Sequence, residues 1–210
     1  MKVLAVVAHP DDEAIGCGGT LAKLRDEGNE VRALLPLRRA DPRGVENWPC
    51  LIASFARSCE ILGASCEMPP ELLCETVAES AVHLLHDIIL PSVDWADIVF
   101  THWHGDANQV HRGLSRAVEV ATRPFRRRKT VYLFEVPTST DQTFIPSFSP
   151  NAYAVLGANH LRRKSRAIAC YPGEAASGRT PAALRRKAQV RGAEIGAPFA
   201  EAFYLARHFL

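Results

Sequence analysis

The chain has 210 residues, 47% of them hydrophobic, 23% charged and 8% aromatic, with a formal net charge of +2. That length suits a single domain spanning 1–210, able to bury roughly 70% of its unfolded surface. The composition excludes a disordered, collagen-like or coiled-coil chain, and the net charge is too small to imply a polyanionic partner.

Val3-Leu4-Ala5-Val6-Val7-Ala8 is an unbroken apolar run rich in β-branched residues, which predicts a buried parallel strand. It is too short and too soon acidic for a signal peptide, and no other run approaches the ~18–20 apolar residues of a membrane span. A soluble, cytoplasmic protein without a membrane partner is expected. Residues 14–27 carry helical spacing and end at Gly28, and residues 30–35 read as a second strand. Residues 48–62 predict a helix closed by Gly63, and 75–90 another ended by Pro91. A strand at 97–101, a helix at 110–122 and a strand at 130–134 follow, then helices near 159–169 and 181–192. Strands alternating with helices predict an α/β, Rossmann-like three-layer sandwich with a mostly parallel central sheet. Such sheets bind ligands beyond the carboxyl ends of their strands.

The polar residues fall at those ends. His9-Pro10-Asp11-Asp12-Glu13 follows the first strand. It places an imidazole beside adjacent carboxylates whose repulsion costs stability unless a cation sits among them. His9 and Asp12 can face inward across a tight turn. A catalytic zinc takes three protein ligands, and the loop after 97–101 offers His102, His104 and His111 as the third. Asp11, close to the metal but not bound to it, is a candidate base for water.

These residues also carry a resemblance. Val-Leu-Ala-Val-Val-Ala-His-Pro-Asp-Asp-Glu-Ala-Ile-Gly-Cys-Gly-Gly-Thr over 3–20 resembles the signature of the N-acetylglucosaminylphosphatidylinositol de-N-acetylase (PIG-L, LmbE-like) family. Gly105-Asp106-Ala107-Asn108-Gln109-Val110-His111-Arg112 is similar to its second metal motif, and stretches at 135–140 and 200–203 resemble bacterial members. The resemblance implies a zinc-dependent deacetylase acting on an amino sugar or sugar conjugate, as in small-molecule or natural-product biosynthesis. It makes His9, Asp12 and His111 the ligands and Asp11 the general base. Fe2+ or another divalent ion remains compatible with the same donors. Two departures stand out: Asn108 replaces a histidine that helps stabilise the tetrahedral intermediate, and Val110 replaces an aspartate that precedes the ligand. Asn108 becomes the candidate oxyanion donor, and support for His111 must come from elsewhere, with Asp106 a candidate. The Arg and Glu that many members carry early in the helix before Gly63 are also missing.

His102, His104, Asp106 and Glu135 are candidate substrate contacts, with loop-polar, helix-entry or Arg-pairing roles as the bland alternatives. The six cysteines include no Cys-x-x-Cys pair and read as reduced core filler rather than zinc ligands. The 15–20 glycine cluster lacks the spacing of a dinucleotide fingerprint, so its glycines are expected to bring helix and sheet close. Basic runs at 126–129, 162–164 and 185–187 lack interleaved aromatics and read as solvated faces, so no nucleic-acid partner is expected. Rival functions are an N-deformylase or other deacylase of the same fold, and a non-catalytic sugar or metal binder. Specificity is assigned to the loops at 38–48 and 138–153. Oligomeric state is left open, a homo-oligomer among the options.

Overall fold

The computed structural model of the chain describes residues 1–144 and 148–210, so 145–147 of the second specificity loop lie outside the described residues. β1 (Lys2–Val6) is fully buried beyond its first residue. Val3, Ala5 and Val7 face one apolar cluster and Leu4, Val6 and Ala8 the other. A strand buried on both faces needs apolar residues at every position, which is why the sequence shows a run rather than an alternation.

β1 pairs in parallel with β2 (Glu30–Leu34) on one side and β6 (Ile98–His102) on the other. β4 (Ser65–Glu67) extends the sheet beyond β2, and β7 (Thr130–Phe134) lies beside β6. Two strands that the sequence pattern did not announce close the far edge: β9 (Ala200–Arg207) runs antiparallel to β7, and β8 (Ala152–Val155) antiparallel to β9. The order β4-β2-β1-β6-β7-β9-β8 makes a seven-stranded, mostly parallel sheet. Chain order reverses between β1 and β6, so a crevice opens beyond their carboxyl ends. A separate pair, β3 (Leu37–Arg38) with β5 (Leu73–Cys74), stands outside that sheet.

One sheet face carries α4 (Val82–Trp95) and α5 (Gln109–Ala121), which bury Leu85, Ile89 and Val93 against Leu114, Ala117 and Val118. The other carries α1 (Asp12–Gly16), α2 (Gly18–Asp26), α3 (Pro42–Leu62), α6 (Ala158–Ile168) and α7 (Pro181–Ala193). Three boundaries differ from the sequence expectation. The helix expected over 14–27 breaks at Cys17, whose φ of −141° and ψ of 11° leave the helical region. α3 starts earlier than expected, at Pro42, because Asp41 caps it by accepting from the Gly44 amide (2.7 Å) and proline suits a first helical position. Residues 75–77 form a 3₁₀ turn, and α4 begins only at Val82 and continues through Pro91. Burial of Ser92 and Val93 beyond the proline offsets the lost backbone hydrogen bond.

Gly63 ends α3 in the left-handed region at φ 75°, as expected for a terminal glycine. Gly16 lies flat against the Phe134 ring of β7, where any Cβ would clash. The helix break is held by one ion pair. Glu201 of β9 accepts from the Gly19 (2.9 Å) and Thr20 (2.7 Å) amides at the start of α2, while Lys164 of α6 reaches Glu201 (2.5 Å) and the Ile15 carbonyl (2.6 Å) at the end of α1. Orphan donors of one helix and an orphan acceptor of the other are thereby satisfied. Lys164, read in the sequence as part of a solvated basic run, is buried. All six cysteines are free thiols; Cys17 and Cys59 are buried core residues, whereas Cys50 is exposed.

Candidate metal centre and active site

The β1–α1 turn and the start of α5 meet in the crevice between β1 and β6. His9 Nδ1 lies 3.2 Å from His111 Nε2, and Asp12 Oδ2 lies 3.4 Å from the first and 3.6 Å from the second. A tetrahedral ion with ligand bonds of about 2.0–2.1 Å spaces its donors by about 3.3–3.4 Å, so this triangle has the dimensions of a zinc face. All three side chains are buried, and Asp12 Oδ1 is buried without a hydrogen-bond partner. Two imidazole nitrogens, a carboxylate and an orphaned oxygen fit a divalent cation.

The surrounding groups set the charge of each donor. Burial opposes charge on His9, but Asp12 and Glu75 outweigh it and raise its pKa. Burial likewise opposes ionisation of Asp12, yet His111, His102 and His9 hold it well below the usual carboxylate range. His111 turns its other nitrogen, Nδ1, toward Asp106 Oδ1 at 3.3 Å. Asp106 is fixed in turn by the Asn108 amide (2.8 Å), Ser139 Oγ (2.5 Å) and Thr140 Oγ1 (2.5 Å). Burial works against its charge, but His111 and these hydroxyls bring its pKa down to about 2. An ionised carboxylate behind a ligating imidazole orients the ring and raises its basicity.

His102 lies behind the cluster. Its Nε2 accepts from the Ala8 amide at 3.0 Å, its ring stacks on His111 at 4.0 Å, and burial holds its pKa down to about 3. A lone pair already committed to a backbone amide keeps His102 Nε2 from offering itself to a cation, so its ring serves as a plate against His111. His104 is exposed, packs on Trp103 (4.1 Å), and lines a separate cavity beside Tyr204 and Arg207. Glu135 receives a two-pronged bond from Arg191 (2.7 and 2.8 Å) and a further contact from Lys187 (2.8 Å), the Arg-pairing role anticipated as its alternative. Asn108 caps α5 by accepting from the Val110 amide (2.8 Å), which leaves its Nδ2 end as a donor.

Asp11 sits between the triangle and a cleft of about 300 Å³ lined by Arg39, Asn47, Cys50, Leu51, Tyr171 and Glu174, among others. Burial, together with Asp12 and Glu174, pushes its carboxyl well above the ordinary range, and Oδ1 is buried without a partner. Its φ of 126° is a conformation that L-residues rarely adopt and costs on the order of 1–3 kcal/mol. Glu13 holds it there by accepting from the Asp11 amide (3.1 Å), while its other oxygen takes Ser58 Oγ (2.5 Å) and the Tyr171 hydroxyl (2.8 Å).

Burial pushes the Glu13 carboxyl from 4.5 up to about 7, against the pull of Ser58 and Tyr171. Folding therefore takes up a proton, and the associated stability is fully present below the unfolded carboxyl range and lost as pH rises through about 7. Glu13→Gln is expected to flatten that downward slope in melting curves collected from about pH 5 to about pH 8; an unchanged slope would assign it to another group.

Sequence reasoning missed Glu75, whose Oε2 lies 3.0 Å from His9 Nε2. A carboxylate only accepts, so His9 donates from Nε2 and presents the Nδ1 lone pair to the cluster. Burial is outweighed by His9 and the Ala40 amide, which hold Glu75 down to about 2.

A mostly parallel α/β sheet with a His-Asp-His triangle in its reversal crevice defines the class. The chain belongs to the PIG-L family, described as GlcNAc-PI de-N-acetylase, whose model matches residues 4–122. The fold is similar to that of the A40926 pseudoaglycone deacetylase Dbv21, with a TM-score of 0.77 and 16% identity over 99% of this chain and 98% of that one. It is also similar to N,N'-diacetylchitobiose deacetylase from Pyrococcus horikoshii, with a TM-score of 0.69 and 19% identity over 97% and 83% of the two chains. GalB, the 4-carboxy-2-hydroxymuconate hydratase from Pseudomonas putida KT2440, shares the fold too (TM-score 0.72, 18% identity, 100% and 97% covered). At these identities the likeness is one of fold. No curated protein matches in sequence. Among the described residues, no helix is long and apolar enough to cross a membrane.

Proposed function

We propose that the chain is a metal-dependent N-deacetylase, with zinc as its ion, that hydrolyses the acetamide of an amino sugar or sugar conjugate. The observation that carries this reading is the triangle of His9 Nδ1, Asp12 Oδ2 and His111 Nε2, with sides of 3.2, 3.4 and 3.6 Å, beside an unpartnered carboxylate in a cleft. His9, Asp12 and His111 would hold the divalent ion, which would supply polarisation of the amide carbonyl and a lowered pKa, toward ~7, for bound water. Asp11 Oδ1 accepts the proton of the attacking water and can return it to the leaving amine. Asn108 Nδ2 donates toward the developing oxyanion, where a carboxamide stabilises charge without transferring a proton. Asp106 keeps the His111 ring in place throughout. The family description and the two deacetylases of similar fold support the reaction class.

Elemental analysis of purified protein followed by amine release from a panel of N-acetyl and N-formyl amino sugars tests the reading. Zinc with amine and acetate release is the expected result. Faster release of formate than acetate would make the chain a deformylase. Bound metal with no amine from any member of the panel would remove amide hydrolysis and favour a binder or a different reaction on the same fold.

A further inference from the structure

Glu75 is the first residue of the 3₁₀ turn after β5, and β5 pairs with β3 through Leu37–Leu73 and Arg38–Cys74. That small sheet brings Glu75 against the chain just after β3. Its Oε1 accepts from the Ala40 amide at 2.6 Å and the Asp41 amide at 3.3 Å, while its Oε2 receives the His9 Nε2 hydrogen bond at 3.0 Å. One carboxylate thus joins a metal-facing histidine to the backbone segment that carries Arg39, a wall of the cleft, and Asp41, the cap of α3. The side chain is 11% exposed, so this bridge forms largely out of water.

We infer that Glu75 is a positioning residue that selects Nδ1 of His9 as the metal-facing nitrogen and couples occupancy of the metal centre to the order of the cleft wall at Ala40 and Asp41. The inference rests on the metal-centre reading above. A cation at His9 Nδ1 makes the ring's Nε2–H a stronger donor, which tightens its bond to Glu75. A carboxylate drawn toward His9 and fixed in orientation holds the two amides more firmly. By linkage, anything that orders the 40–41 backbone also strengthens metal binding.

Two measurements on the intact chain test this, both made without substrate. The first is amide hydrogen exchange at Ala40 and Asp41 with and without zinc, and the second is zinc affinity by chelator competition in wild type and Glu75→Gln. Glutamine keeps one acceptor oxygen, so it can serve either His9 or the backbone amides but not both. Zinc is expected to slow exchange at both amides in wild type. Glu75→Gln should lose that slowing and bind zinc about 10–100-fold more weakly. The exchange result in wild type needs no folded variant: no zinc-dependent protection at these amides overturns the coupling. Variant affinity within about twofold of wild type overturns the positioning role. Wild-type protein that binds no zinc removes the metal centre and this inference together, whereas zinc binding with Glu75 dependence and no amine release removes only the hydrolase reading.

Discussion

Asp11→Asn is expected to cut turnover by about 10²–10⁴ while leaving zinc bound. The triangle of His9, Asp12 and His111 is untouched by the change, and Asp11 Oδ1 has no structural partner to lose. What disappears is the ability to take a proton. The fold should not suffer. Burial, Asp12, Glu174 and Glu13 all oppose charge on Asp11, so an uncharged carboxamide is accommodated there without new repulsion. Asparagine also tolerates positive φ at least as well as aspartate. A variant that melts no lower than wild type, holds its zinc and barely turns over is the combined signature. Near-normal kcat in that variant would take Asp11 out of the reaction.

Lys164→Met should lower stability by about 3–5 kcal/mol, because it leaves Glu201 charged and buried with its strongest partner gone. For a chain of this size that corresponds to a fall in melting temperature of about 6–20 °C. The Ile15 carbonyl at the end of α1 also loses its donor. Denaturant unfolding at constant m-value is the cleanest readout. A loss below about 1 kcal/mol would put the pair among those that contribute nothing measurable. The double variant with Glu201→Gln should recover part of the loss, since no unpaired charge then remains buried.

The sequence exposed the centre of this molecule better than its edges. β1 announced itself because burial on both faces requires an unbroken apolar run, and the His9–Glu13 cluster followed it directly. The residues alone left His102, His104 and His111 as equal candidates. What separates them is register: His102 is the last residue of β6 and gives its Nε2 to the neighbouring strand's Ala8 amide, whereas His111 rises from the next helix. Glu75 was invisible for a related reason. Its partner lies 66 residues earlier, and their meeting depends on the two-residue strands β3 and β5, too short to leave a periodic pattern. The edge strand β9, Ala-Glu-Ala-Phe-Tyr-Leu-Ala-Arg, contains good helix formers and is strand only because β7 and β8 flank it. Lys164 showed the converse error, where a run of positive charge hid one member that points inward.

The helix break described above has a counterpart around the whole centre. Every donor of the triangle lies within the first part of the chain, as do Asp106 and Glu75 beside them, but several further groups that steady the centre come from the remainder: Ser139 and Thr140 on Asp106, Tyr171 on Glu13, and Lys164 with Glu201 at the α1–α2 junction. A fragment ending before Ser139 is therefore expected to hold an ion less firmly than the whole chain. Ion release and global melting should behave as a single cooperative transition, and loosening the distal half should bleach the centre of its ion before any ligand has been changed.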